Sequence, residues 1–222
     1  MNKEWSELNK AFQTQVKKES SFAEGIDTLL ILRQSLMEEL ICMEQKLCRE
    51  DFNAMPYPNA NGYHSKTIAY SVWHIFRIED IVAHSLMQNN EEIFEAYRDK
   101  IGAPIITTGN ELVGKQITEF SEKLDLDALY DYAIAVKNST DELLKQLSYR
   151  DLRRKFGDAD KTRLQQLHVV STDENACWLI DYWCGKDVSG LLRMPFSRHW
   201  IMHVEACLRI KNKIHPRSEE KI

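Results

Sequence analysis

No stretch of this sequence is apolar for long enough to cross a bilayer. Its start, Met1-Asn2-Lys3-Glu4-Trp5-Ser6-Glu7, lacks the uninterrupted apolar region of a signal peptide. Both absences predict a protein without a membrane partner. There is no CxxC pair, and the five cysteines (Cys42, Cys48, Cys177, Cys184 and Cys207) are odd in number, which suits reduced thiols and a cytoplasmic location better than a disulfide framework. A basic stripe is missing as well: lysines and arginines are spread along a chain of formal net charge -5, so no nucleic-acid partner is expected. The sequence shows no Ser/His/Asp arrangement, no phosphate-binding glycine loop, no internal repeat and no strand alternation of any length.

What is present is helical periodicity. With 222 residues, 43% hydrophobic and 28% charged, the chain can bury a full core, and it reads as one domain, 1–222. Trp5, Leu8, Phe12 and Val16 form one stripe on a polar segment, predicting an amphipathic helix within residues 1–20 that lies across the main body. From Ser21, Ile26, Leu29, Leu36, Met37 and Leu40 keep the period for about seven turns before Pro56, Pro58 and Gly62 break it. A second helix is expected from Thr67, with Ile68, Val72, Ile75, Phe76 and Val82 on one buried side. It carries His74 and His84, which a straight helix separates by about 280°, so only one of them is expected to face the core.

Residues 91–110 read as a long connection of the kind that serves as a lid. A short helix is expected within Glu111 to Lys123. Leu129, Tyr130, Ala133, Val136, Leu143 and Leu144 mark a third long helix, capped by Asp125 or Asp127. Tyr149 to Gln166 is charged and aperiodic, predicting a connection. Ser171 and Glu174 match a capping box for a short aromatic helix, Asn175 to Cys184, closed by Gly185. The last helix is expected over Asp187 to Lys213, kinked or restarted at Pro195, with a polar tail over 214–222. The expected fold class is all-α, a four-helix bundle with long connections and short additional helices.

The candidate chemistry lies in Arg198-His199-Trp200-Ile201-Met202-His203. Two histidines four apart on a helix differ by about 40° in direction and about 6 Å in height, so both imidazoles can reach one point beside the helix. A zinc protease helix needs Glu after the first His as general base; Trp200 stands there, which excludes that reaction. Bundles build sites from side chains projecting inward from facing helices, and His74 is the natural third ligand. Three imidazoles leave a coordination position open, as catalytic sites do. Cys207, one turn after His203, is expected to be a small buried thiol, Tyr70 a packing residue, and Glu79 and Asp80 solvated or in outer contact with the site. Trp73, Trp178, Trp183 and Trp200 are expected in core and rim packing, and His64, His84, His168 and His215 outside the site.

Three segments carry a family resemblance: Val72-Trp73-His74-Ile75, Trp178-Leu179-Ile180-Asp181-Tyr182-Trp183-Cys184-Gly185-Lys186, and Met194-Pro195-Phe196-Ser197-Arg198-His199-Trp200-Ile201-Met202-His203. With them the chain from Ser21 to Lys213 resembles the DinB/YfiT-like family of four-helix-bundle metalloenzymes. The resemblance implies that His74, His199 and His203 bind a divalent metal at one end of the bundle. It also implies a relation to transferases and isomerases that use low-molecular-weight thiols such as bacillithiol or mycothiol.

Two functions follow as expectations. In the first, zinc, nickel or iron held by the three histidines activates a water or thiol for hydrolysis or thiol transfer on a small-molecule substrate, with or without a thiol cofactor. In the second, the metal ties helices together in a non-catalytic binding or dimerisation module, a homodimer for example. An accessible ligand position argues for the first, a fourth protein ligand for the second.

Overall fold

A computed structural model describes residues 2–216. The part of the expected polar tail beyond Pro216 lies outside the described residues. The fold is all-α: among the described residues the one extended pairing is an isolated bridge between Lys155 and Asp187. The α-helices in chain order are α1 Lys3–Gln15, α2 Phe22–Lys46, α3 Arg49–Asn53, α4 Ile68–Asp80, α5 Arg98–Ile101 and α6 Lys115–Ser121. They continue as α7 Leu126–Gln146, α8 Asp158–Gln166, α9 Trp178–Cys184, α10 Val188–Arg193 and α11 His199–Ile214.

The amphipathic stripe places Trp5, Phe12 and Val16 in the core, with α1 lying along α2. α2 is the longest element, and at about 1.5 Å per residue it spans about 37 Å. α4 packs against α7 and α11, while α2 packs against the same two helices. Apolar side chains from all four form the main core, and a second cluster gathers the far end of α2 with α9, α10 and the segment after α4.

The one-sided second helix expected from periodicity is corrected: every residue of α4 from Ile68 to Asp80 is buried. A helix that neighbours surround has no solvent face, so its polar side chains must find partners inside the protein. They do. Arg33 of α2 makes a two-pronged ion pair with Glu79 at 2.7 and 2.8 Å and reaches Asp141 of α7 at 2.6 Å. Trp200 of α11 donates its indole N–H to Glu79 at 2.7 Å. Asp80 accepts from Tyr132, from His84 and from the backbone N–H groups of Ile93 and Phe94. Glu79 and Asp80 are therefore fully buried framework groups and not solvated ones, and Glu79 touches the site's surroundings through Trp200, the residue after His199.

His84 is buried together with His74, against the expectation that one alone would face the core. The helix is enclosed on all sides, and beyond Asp80 it widens into a π-helix over Ile81–Gln88 that ends at Asn89 in the left-handed conformation. The π-helix shifts the residue phase away from a straight α-helix.

Other boundaries differ for local reasons. The connection at 149–166 contains α8, whose nine residues carry a single buried apolar side chain, Leu164, and so show no period. The side chain of Arg163 holds α8 in place by donating to the carbonyls of Ser85 and Leu86. Ser171 accepts from the N–H of Asp173 in a local turn instead of capping a helix, and α9 begins at Trp178. Gly185 does close α9, but with right-handed backbone. A Cβ there would sit 2.9 Å from the Asp181 carbonyl, so glycine serves close approach there and not a left-handed turn. Asp125 caps α7, accepting from the N–H of Ala128.

Candidate metal centre

Each histidine is aimed by a specific local device. Thr67 caps α4 by accepting from the N–H of Tyr70, which starts the helix two turns before His74. His74 donates from Nδ1 to the carbonyl of Thr108 at 2.8 Å, which leaves Nε2 as its ligand atom. The carbonyl comes from the long connection expected as a lid. That connection lies against α4, and its carbonyls at Ile106, Thr107 and Thr108 accept from Arg77, Trp73 and His74 respectively. Gly109 makes the close approach there: its φ is +78°, and a Cβ would meet the Tyr70 ring at 3.1 Å.

His199 and His203 owe their position to the break at Pro195. α10 passes through a π-helical turn, Met194–Arg198, into α11. Proline has no N–H for the helical ladder. The Ser197 hydroxyl donates to the carbonyl of Leu192 at 2.9 Å, satisfying one acceptor in the disturbed turn. The first residue after the turn is His199.

The three rings converge. Centroids are 5.0 Å apart for His74 and His199, 4.8 Å for His74 and His203, and 4.6 Å for His199 and His203. One ligand atom from each lies within 4.8 Å of the other two, and among the described residues no other group of three or more His, Cys, Asp or Glu side chains is so arranged. Tetrahedral nitrogens at about 2.0–2.1 Å from one ion lie about 3.4 Å apart, so holding an ion would draw the ligand atoms together by up to about 1.4 Å, within reach of small side-chain rotations.

All three are buried, and burial makes charging them unfavourable. It pushes His74 down to about 4 and holds His199 and His203 well below the usual imidazole range, the neighbouring histidines adding to the effect. Neutral imidazoles are the ligand form. His199 and His203 each have a buried Nδ1 with no hydrogen-bond partner. Acceptor nitrogens on three converging neutral rings, two of which also carry an unpartnered buried Nδ1, fit a divalent cation.

The cluster opens into a cavity of about 530 Å³, lined by all three histidines together with Tyr63, Lys66, Tyr70, Asn110, Val113, Trp178, Tyr182, Trp183 and Met194 among others. Tyr70 packs and lines the site at once: its ring stacks on His74 with centroids 5.5 Å apart, and its hydroxyl donates to the carbonyl of Gly109. Cys207 is fully buried with its thiol pushed up to about 12 by burial, as expected of an inert core cysteine. All five cysteines are free. Trp73, Trp183 and Trp200 are buried, and Trp178 is half exposed at the cavity.

Sequence patterns missed Lys66, Tyr63 and Asn110, which lie in irregular segments where no period marks a face. They also missed a Ser/His/Asp arrangement, whose absence is thereby corrected: His84 Nδ1 lies 2.6 Å from Asp80 and Nε2 lies 2.8 Å from the Ser139 hydroxyl. It does not line the cavity of the histidine cluster, and Asp80 already serves four other donors, so it belongs to the framework. His215 pairs with Asp51; His64 pairs with Arg209 and lies beside the cluster without joining it, its ring 4.0 Å from that of Tyr63, which in turn packs 5.7 Å from His203.

The chain matches no known family model. No curated protein matches it either.

Proposed function

We propose that the protein is a divalent-metal-dependent enzyme acting on a small molecule. In this reading α2, α4, α7 and α11 form a four-helix bundle of the DinB/YfiT-like kind, with His74, His199 and His203 as the metal ligands. One observation carries the reading: three buried, neutral histidines converge on the floor of an open cavity, with no fourth protein ligand among the described residues to close the cluster.

When bound, the ion supplies Lewis-acid chemistry, lowering the pKa of a water or thiol that reaches it. The chain's own residues do the rest. Thr108 holds the His74 ring in one tautomer and orientation. Burial keeps all three imidazoles unprotonated at neutral pH. Trp178, Tyr182, Trp183 and Met194 wall the cavity with apolar surface, which limits water around the reacting groups. Hydrolysis and thiol transfer both suit this arrangement, and zinc, nickel and iron all suit imidazole ligands.

Metal analysis of protein purified without a histidine tag or added metal, followed by chelator competition for zinc, tests the assignment. One equivalent is expected. Loss of an outer-shell partner alone typically costs about 10–100-fold in affinity, so His74→Ala, His199→Ala or His203→Ala should each cost more than about 100-fold. His215→Ala, outside the cluster, should change nothing. If all three variants keep one equivalent, the triad is wrong. A screen for thiol transfer and hydrolysis on the metal-loaded protein then separates the two reactions.

A further inference from the structure

The cavity has a charge pattern that the metal reading does not use. Its lining contains no Asp or Glu, and one lysine. The Lys66 ammonium is half-buried and forms no ion pair with any described residue. Its contacts are the carbonyl of Leu112 at 3.3 Å and the face of Tyr70, 4.7 Å from the ring centroid. The same Tyr70 ring stacks on His74, so the charge stands beside the histidine cluster. Asn110 adds a second donor: its amide oxygen accepts from the Thr108 hydroxyl at 2.8 Å, which leaves its NH₂ group for the cavity it lines. A half-buried lysine without a counter-charge has lost part of its hydration, and a ligand of opposite sign offsets that loss.

The remaining lining is apolar and aromatic. Trp178 and Val113, two of the few large hydrophobic side chains exposed on this protein, both border the cavity at 48% and 54% exposure. The volume of about 530 Å³ lies in the range, roughly 300–1,000 Å³, that encloses a drug-sized molecule.

We infer that the substrate is a small amphipathic anion: an aryl or alkyl body resting against Trp178 and Val113, and a single anionic group, such as a carboxylate, received by Lys66 and Asn110 beside the histidine cluster. This deepens the metal-enzyme reading and rests on it for the chemistry, but the binding of the anion depends on Lys66.

The test is isothermal titration calorimetry with three probes of one shape, 4-phenylbutyrate, 4-phenylbutyramide and 4-phenylbutylamine, on zinc-loaded and metal-free protein. The carboxylate should bind at least about 10-fold more tightly than the amide, equivalent to about 1.4 kcal/mol, and the amine should not bind measurably. Lys66→Gln should bring the carboxylate down to the amide's affinity without changing the amide. Lys66→Arg should keep the preference, and Trp178→Ala should weaken carboxylate and amide alike. Equal binding of carboxylate and amide, a preference that survives in Lys66→Gln, or no binding by any probe would each overturn the inference. The metal-free arm separates the two proposals. A Lys66-dependent preference in a protein that takes up no metal keeps the anion site and removes the metal centre. A preference that needs zinc but ignores Lys66 does the reverse.

Discussion

Protonation of single side chains sets how the metal-free protein responds to pH. In an unfolded chain each histidine titrates at about 6.5. Burial holds His74 near about 4 in the fold and His199 and His203 well below the usual range. Below about pH 6.5 the unfolded state takes up protons that these three rings refuse, so their contribution to stability is present above that pH and is lost progressively as the pH falls below it. His84 behaves oppositely. Burial pulls it down, but the hydrogen bond and charge of Asp80 outweigh that and leave it above the usual value. Its contribution is complete below about 6.5 and fades as the pH rises through the raised value. Urea unfolding of metal-free protein from pH 4.5 to 8.5 should therefore show an acid limb that flattens in His203→Leu. An acid limb unchanged by that substitution would mean that the His203 ring is not buried neutral.

Among the elements, the long connection over 102–114 governs the site as a strap, because its backbone orients His74 and seats Tyr70. Gly109→Ala places a Cβ at positive φ and 3.1 Å from the Tyr70 ring. A strained backbone of this kind costs about 1–3 kcal/mol, and zinc affinity should fall with it, because Tyr70 stacks on His74 and the next carbonyl back holds the His74 ring. Thermal unfolding and chelator competition on the same sample check both effects. α7 gives a control away from the site. Leu143 is buried in the second core cluster, and Leu143→Ala should cost about 2 to 5 kcal/mol with zinc affinity intact. A cost below about 1 kcal/mol would place Leu143 outside the core.

Across the whole molecule, one buried charge network joins α2, α4, α7 and α11. Arg33 of α2 reaches Glu79 of α4, Asp141 of α7 and the carbonyl of Phe196 in the turn before α11, and lies 4.7 Å from the centroid of the Trp200 ring of α11. Lys137 completes it by pairing with Asp141 at 2.8 Å. Removing one member leaves a charge buried with too few partners, so Glu79→Ala should cost about 3–5 kcal/mol, read from urea unfolding followed by circular dichroism. It also strands the Trp200 indole N–H beside His199. A loss below about 1 kcal/mol would mean that water reaches Arg33.

The sequence by itself determined the helical class, the stripes of α1, α2 and α7, and the helix-borne histidines His74, His199 and His203. Each of these is a local property: periodicity places side chains on one face, and an interval of four residues brings two rings together whatever the helix packs against. Only the tertiary structure decided that α4 is enclosed on every side. That burial turned Glu79 and Asp80 into framework charges and joined Asp80, His84 and Ser139, because a helix cannot record in its own period how many neighbours surround it. The strap's carbonyls and the cavity's Lys66 and Asn110 were equally hidden. They lie in irregular segments, where position is set by contacts with distant residues and no spacing rule applies.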